Sequence, residues 1–454
     1  MKGFVILCIL FFQSCIGFSQ TYEGSWQGDL RFGSATLPFI LNLHQSDGQW
    51  KVTADSPKQG VSGISGDINV KGDSLFVRLQ GGIKVIGRLL GSDSIKATFA
   101  QNGVELPLTL VRKNGTTKTL KALKRPQEPI PPYSYDTLDV EFKNDYDKIT
   151  LAGTLTLPKK AGRYPAVVLL TGSGPQNRNE ALFGHEPFKV LADYLTKQGI
   201  VVLRYDDRGV GKSTGLFETS TIENFSKDAI AALAFLKKQK QVDARKIGVI
   251  GHSEGGLIAE LLAGQGLPDL SFIVSLAGPA IAINDLMVAQ LYAIGKANGM
   301  SDFNLEVAKQ INVKNFEVVK GALDTKTAYE TLMKNLGITS ENKQNAQMRT
   351  ELMTMLAPAY RYFLRIEPEK YIRKINVPVF AAFGSLDVQV PADINLKSLF
   401  DLLPKNKKNI LKEYDGLNHL FQKAKTGRVD EYVEIEETMN IQVLQDIAVW
   451  IKRL

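Results

Sequence analysis

Apolar and polar positions along this 454-residue chain follow two different rhythms. From Tyr22 to about Arg112, short alternations such as Leu41-Asn42-Leu43 and Ala97-Thr98-Phe99 are broken by turn clusters such as Ser46-Asp47-Gly48 and Lys71-Gly72-Asp73. Alternation with period two at even intervals predicts strands over Gly24–Arg31, Thr36–His44, Trp50–Ala54, Ile68–Val70, Leu75–Leu79, Lys84–Leu89, Ser94–Phe99 and Glu105–Val111. No helical periodicity competes, so residues 20–113 read as a small all-β antiparallel domain, a sandwich or a barrel. Residues 114–133 are polar and Lys-rich and end in Pro126, Pro129, Pro131 and Pro132, the composition of a semi-extended linker.

From Ser134 the rhythm changes. Asp139–Phe142 and Ile149–Leu157 read as an antiparallel lead-in pair. Continuous apolar runs follow at Ala166–Leu170, Val201–Tyr205, Ile247–Ile250, Phe272–Ser275 and Val379–Phe383, as expected of parallel strands buried on both faces. Helical stretches at Pro187–Gln198, Thr221–Lys238 and Gly255–Gly264 separate them, which predicts an α/β domain over 134–454 with a mostly parallel sheet and helices on both faces. Between about Ile283 and Lys374 only helical patterns occur (Leu286–Lys296, Asn304–Asn312, Lys326–Leu336, Arg349–Leu356), a helical cap inserted into the sheet domain. Thr438–Leu454 closes the chain as an amphipathic helix with Val443, Leu444, Ile447, Trp450 and Ile451 on one face.

Residues 1–19 have the form of a signal peptide: Lys2, an apolar run from Phe4 to Phe12, and small Gly17 and Ser19 before a cleavage point at Gln20. The run is too short to span a bilayer as a helix. A lipoprotein attached through Cys15 ranks second, because Phe12-Gln13-Ser14 is a poor lipid-attachment signal. Cys8 and Cys15 both lie in this segment, so the cleaved chain would have neither disulfide nor reactive thiol. An exported protein, periplasmic or secreted, with no transmembrane helix is the expectation. A hydrophobic fraction of 44% and a charged fraction of 22% suit a soluble protein. The net charge of +8 is spread thinly, without basic runs interleaved with aromatics, so nucleic acid is not an expected partner.

Candidate chemistry centres on Gly251-His252-Ser253-Glu254-Gly255, directly after the apolar run Ile247–Ile250 and directly before a helical stretch. That is a nucleophile elbow in strand–turn–helix context, with Ser253 as nucleophile and Gly251 and Gly255 where side chains would not fit. A nucleophilic serine needs a base, and the base an orienting acid. Of the four histidines, His44 lies in the β domain, His185 precedes the serine and His252 sits inside the elbow. His419 remains, in a loop after the short run Asn409–Leu411. The acid expected past the preceding strand is Asp387, in Gly384-Ser385-Leu386-Asp387; Asp415 is the competitor but reads as a turn former, and Asp393 as a helix-start charge. The oxyanion hole would use the backbone N–H of Glu254 and that of Ser173, in the loop Thr171-Gly172-Ser173-Gly174-Pro175. Gly209-Val210-Gly211-Lys212-Ser213 hints at a phosphate loop, but Asp206 stands where that motif needs glycine, and a charged turn is the better reading. No His/Cys/Asp cluster has metal-ligand spacing; no metal and no other cofactor is expected.

Taken together, Leu170–Asn179, Leu203–Ser213, Gly251–Gly256 and Leu417-Asn418-His419 resemble the EstD-type bacterial esterases, α/β hydrolases close to the serine aminopeptidase-like group. The resemblance runs from about Pro132 to the C-terminus. It implies an α/β-hydrolase domain, the same roles for Ser253, Asp387 and His419, and carboxylesterase activity on small-molecule esters of short acids. Acylated carbohydrates are a further candidate substrate, apart from what the resemblance implies. A peptidase with the same triad is the alternative; it would need a pocket carboxylate for the substrate amine, for which the cap offers Glu306 and Glu317. A binding protein that keeps the fold without catalysis is the third reading, and the complete Ser–Asp–His order argues against it.

Overall fold

The computed structural model describes residues 22–32, 35–46, 48–56, 61–90, 93–101, 104–113, 125–338 and 346–454. The expected signal segment, both cysteines and residues 114–124 of the expected linker lie outside them. The chain divides into two compact units.

In the first unit the period-two segments are strands β1 (Gly24–Phe32), β2 (Ala35–Ser46), β3 (Gln49–Ser56), β4 (Val61–Lys71), β5 (Ser74–Leu79), β6 (Lys84–Leu90), β7 (Ser94–Gln101) and β8 (Val104–Arg112). They run in sequence order as a closed barrel. Pairing of Trp26 with Arg112 across β1 and β8 shuts it, so neither edge is left exposed. The alternation does what it predicts: along β6 the alternate residues Val85, Gly87 and Leu89 are buried and those between and flanking them are exposed. β4 is longer than the sequence suggests, because Gly63 and Gly66 read as turn residues yet lie within the strand.

The second unit is built on one eight-stranded sheet, ordered β16-β15-β14-β13-β11-β12-β10-β9. Its strands are β9 (Tyr135–Asn144), β10 (Ile149–Pro158), β11 (Tyr164–Leu170), β12 (Val201–Tyr205), β13 (Val242–His252), β14 (Phe272–Leu276), β15 (Val379–Gly384) and β16 (Ile410–Tyr414). β9 and β10 pair antiparallel, as does β10 with β12, and every other pairing is parallel. Continuous apolar runs mark the central strands because both faces are covered: every residue of β14 and β15 is buried. Covering helices are α1 (Pro187–Lys197), α2 (Ile222–Lys237), α3 (Glu254–Gly264), α10 (Ala392–Leu402) and α11 (Ile441–Arg453). On α11 the stripe Val443, Leu444, Ile447, Trp450 and Ile451 is buried, with Trp450 packed between Phe272 and Phe380. Burial of a side chain such as Leu444 or Ile447 contributes about 1.5–3 kcal/mol each.

The cap consists of α4 (Ile283–Ala297), α5 (Asp302–Lys320), α6 (Thr325–Asn335), α7 (Ala346–Met355), α8 (Pro358–Leu364) and α9 (Glu369–Ile372). The last two were not expected. Pro358 reads as a breaker but occupies the first turn of α8, where its missing N–H costs nothing, and α9 is too short to show a period.

The expected linker needs one correction. Residues 125–133 belong to the sheet unit, not to a free connector. The Arg125 guanidinium donates to the carbonyls of Phe183, Gly184, Val433 and Ile435, and the Gln127 side chain bonds the backbone of Thr438 and Met439. A fragment beginning at Pro132 would lose both anchors.

Beneath the sheet's central turn, α3 buries Glu260 completely. Its Oε1 accepts the Ser275 hydroxyl at 2.7 Å and its Oε2 has no hydrogen-bond partner among the described residues. Burial, partly offset by that hydroxyl, pushes its pKa up from 4.5 to about 8. A folded-state pKa above the unfolded one means that the contribution to stability is complete below about pH 4.5 and is lost as pH rises through about 8. A Glu260→Gln variant should therefore outlast the wild type increasingly in chemical denaturation between pH 6 and pH 9, by an amount on the order of 4 kcal/mol at the alkaline end. Parallel pH curves for the two proteins would show that Glu260 is not held protonated.

Candidate functional site

Strand order reverses at β11: β12 lies on one side of it and β13 on the other. In open α/β sheets such a switch point leaves a crevice beyond the carboxyl ends of the strands, and ligands bind there. The loops leaving β11 and β13 are the two that the sequence marks, Thr171–Pro175 and the elbow.

Ser253 stands between β13 and α3 with φ 53 and ψ −117. A non-glycine residue in that region costs of order 1–3 kcal/mol, a strain kept where the surroundings enforce it. Here they do: the Ser253 N–H donates to the Leu276 carbonyl at 2.8 Å, and its carbonyl accepts from Leu257 at 3.1 Å. A Cβ on Gly251 would overlap the Gly255 carbonyl, and one on Gly255 would overlap the Leu170 carbonyl. The bend thus requires both glycines, and it sets Ser253 at the N-terminus of α3.

Asp387 and His419 arrive from the loops after β15 and β16. His419 Nδ1 lies 2.7 Å from Asp387 Oδ2, both side chains buried. The other oxygen, Asp387 Oδ1, accepts the N–H groups of Gln389 at 2.8 Å and Val390 at 2.9 Å, which fixes the carboxylate plane. The two loops are sewn together by Leu386 N–H to the Leu417 carbonyl and by Gly416 N–H to Ser385 Oγ. Asn418 shapes the His419 turn by accepting from the N–H groups of Leu420 and Gln422. Among the described residues the Ser253 hydroxyl makes no hydrogen bond to His419. The ring of His252, the residue before Ser253, lies with its centroid 4.7 Å from that of His419.

The charged turn after β12 holds the Thr171–Arg178 loop. Asp206 grips the Arg178 guanidinium at 2.7 and 3.0 Å. Asp207 accepts the Thr171 hydroxyl at 2.8 Å and the Gln176 N–H at 2.9 Å. Arg208 forms a two-pronged pair with buried Asp228 on α2. The run Asp206–Arg208 is therefore a scaffold, as the reading against a phosphate loop expects. Burial pushes the Asp207 pKa up to about 7, with the nearby Glu254 and Glu180 adding to it. Burial alone pushes Glu254 to about 7. The two carboxyls share a void of about 20 Å³, room for about one water.

Ser253, Glu254, Ser173 and Gly174 open onto a cavity of about 380 Å³ whose other walls include Phe217, Phe225, Leu286, Met287, Tyr360 and Phe363. Cap helices α4 and α8 supply the last four. Gly172 N–H is committed to Glu180 Oε1 at 2.7 Å, which leaves Ser173 and Gly174 as the loop residues bordering the cavity beside Ser253.

The remaining candidates separate cleanly. His44 is exposed on the barrel. His185 is buried against Thr438 and Tyr432, and burial drives its pKa down to about 4. Asp415 is exposed and bonded to Ser385, and Asp393 is exposed in the first turn of α10. Glu306 and Glu317, offered by the sequence for a substrate amine, are exposed and do not line the cavity; Glu218 and Glu254 do. Glu180 was missed. It sits in a polar loop that reads as solvent-facing, and nothing in Asn177-Arg178-Asn179-Glu180 signals its burial or its φ of 52. Among the described residues no group of three or more His, Cys, Asp or Glu could hold a metal ion, and no helix is long and apolar enough to cross a membrane.

Comparison with known proteins gives the following. A family model described as serine aminopeptidase, S33, matches residues 186–423. Esterase EstD of Thermotoga maritima is 27% identical over 337 residues, covering 71% of this chain and 68% of that protein. Thiohydrolase apmlB of Arthrinium phaeospermum is 32% identical over 146 residues, covering 32% of this chain and 44% of that protein. Of solved structures, the Pyrococcus furiosus esterase Pf2001 is similar with a TM-score of 0.42 at 18% identity, over 70% of this chain and 91% of its own.

Proposed function

The chain belongs to the serine aminopeptidase S33 family of α/β hydrolases, and from that premise we propose that it hydrolyses carboxylic esters through a Ser253 acyl-enzyme. The observation that carries this reading is the buried 2.7 Å contact of His419 Nδ1 with Asp387, two strands from a nucleophile elbow. With Nδ1–H committed to the carboxylate, Nε2 is left as the basic nitrogen. On substrate binding the Ser253 hydroxyl hydrogen-bonds to Nε2, a contact that commonly tightens only in the Michaelis complex. Ser253 Oγ attacks the ester carbonyl and its proton passes to Nε2. The oxyanion is held by the N–H groups of Glu254 and Ser173. Collapse breaks the bond to the alkoxy oxygen, which leaves as alcohol with the proton from His419. Water, deprotonated by His419, then attacks the acyl-enzyme and releases the acid.

EstD, the relative with the greater coverage, is named an esterase, which favours esters over peptides. The mostly apolar cavity also supports an uncharged group on one side of the scissile bond. A peptidase remains a specific competitor because Glu218 and Glu254 border the same cavity. Purified full-length protein should turn over p-nitrophenyl esters well above aminoacyl p-nitroanilides. Faster cleavage of the anilides, lost in Glu254→Gln or Glu218→Gln, would move the assignment to an aminopeptidase.

A further inference from the structure

One buried chain of contacts is left over once the triad and the oxyanion donors have been placed. Glu180 Oε1 accepts the Gly172 N–H at 2.7 Å and lies 2.9 Å from His252 Nδ1. His252 Nε2 in turn lies 3.0 Å from the backbone carbonyl oxygen of His419. Both side chains are buried. Three loops meet here: the one after β11 that carries Ser173, the elbow that carries Ser253, and the one after β16 that carries His419. We propose that Glu180, acting through the His252 ring, is a positioning residue that ties these three loops into one reactive unit.

The ring's two neighbours define its state. A backbone carbonyl only accepts, and so does a carboxylate, so both ring nitrogens must carry hydrogen for both bonds to form. His252 is then an imidazolium paired with Glu180. Burial, the largest single influence, works against that charge, but Glu180, the His419 carbonyl and Asp387 together outweigh it, and the ring's pKa lies above the ordinary 6.5. Of the other groups packed against it, the Asp387 carboxylate favours the charge, and His419 presents its carbonyl and its ring. Losing the proton leaves one nitrogen lone pair facing an oxygen at about 3 Å, and the link to Gly172 or to His419 slackens. The role explains a costly arrangement: Glu180 has φ 52, and a buried ion pair is weak evidence for stability as such.

The inference rests on the Ser253–His419 assignment, which Ser253→Ala tests separately, since its failure would show as full activity in that variant. Given that assignment, Glu180→Ala and Glu180→Gln are compared with wild type for kcat, KM, thermal midpoint and the pH dependence of kcat/KM on a p-nitrophenyl ester. Alanine removes both links and should lower kcat by roughly 10²–10³, the scale of one lost oxyanion donor, with KM little changed. Glutamine keeps an acceptor oxygen but not the charge. It should keep more of the neutral-pH rate, while the alkaline limb of the profile, set by His252 losing its proton, moves to lower pH. A purely structural Glu180 would lower the thermal midpoint and leave that limb in place. Should the alanine variant fail to fold, the isosteric glutamine variant carries the test. A glutamine variant with kcat within about threefold of wild type and an unmoved alkaline limb overturns the proposal.

Discussion

Ser253→Ala is expected to abolish ester hydrolysis, with kcat for p-nitrophenyl acetate falling roughly 10⁶-fold if nucleophile and base act as a unit. The protein should otherwise be unchanged. The bend is held by backbone contacts, Ser253 N–H to Leu276 and Leu257 N–H to the Ser253 carbonyl, and by the two glycines, none of which needs the hydroxyl. Alanine carries the same Cβ into the same positive φ as serine, so the strain is not altered. Wild-type and variant protein should therefore share a thermal midpoint, while only the wild type is labelled by a fluorophosphonate probe. Retention of more than roughly a tenth of the rate would discard Ser253 as nucleophile, because positioning and oxyanion stabilisation without it leave far less.

Why the sharp bend at Ser253 was legible and the burial of Glu180 was not is a matter of which constraints act along the chain. The elbow constrains five consecutive residues sterically, so its glycines mark it wherever it occurs between a strand and a helix. Chain order and elimination pointed to Asp387 and His419, whose side chains the structure brings to 2.7 Å, since the expected fold restricts which loops can carry the acid and the base. Glu180 is tied to Gly172, His252 and, through it, His419, partners from both sides of α1 and as distant as the end of the sheet. No local pattern records such a set. The same holds for Arg125, a single cation in a Lys- and Pro-rich stretch, whose guanidinium is spent on four carbonyls of the sheet unit. Period-two alternation, by contrast, is a local record of burial, and the eight barrel strands were readable from it to within a few residues except where β4 takes in Gly63 and Gly66. The cap was visible as a run of helices without strands, but α8, beginning on Pro358, was not.

Asp387→Asn offers the sharpest test of how the base is oriented, with an expected loss of roughly 10⁴ in kcat and little change in KM or stability. The surroundings decide which way the new amide must face. Oδ1 receives two backbone N–H groups, from Gln389 and Val390, so the asparagine oxygen is forced into that place. The NH₂ group then occupies the position of Oδ2, 2.7 Å from His419 Nδ1. An NH₂ group donates, so Nδ1 must present its lone pair and the ring proton moves to Nε2. In that tautomer Nε2 has no lone pair to take the Ser253 proton, although every heavy atom has kept its place. The thermal midpoint should stay near that of the wild type, because one isosteric group replaces another and both backbone bonds survive. A fall of less than about tenfold would remove Asp387 from this role and turn attention to Asp415, whose exposed carboxylate would then have to reach the ring by a rearrangement of the His419 loop. Loss of the full amount in Asp387→Asn, with Asp415→Asn unaffected, would tie the basicity of Nε2 to the single carboxylate that the two backbone amides hold in plane.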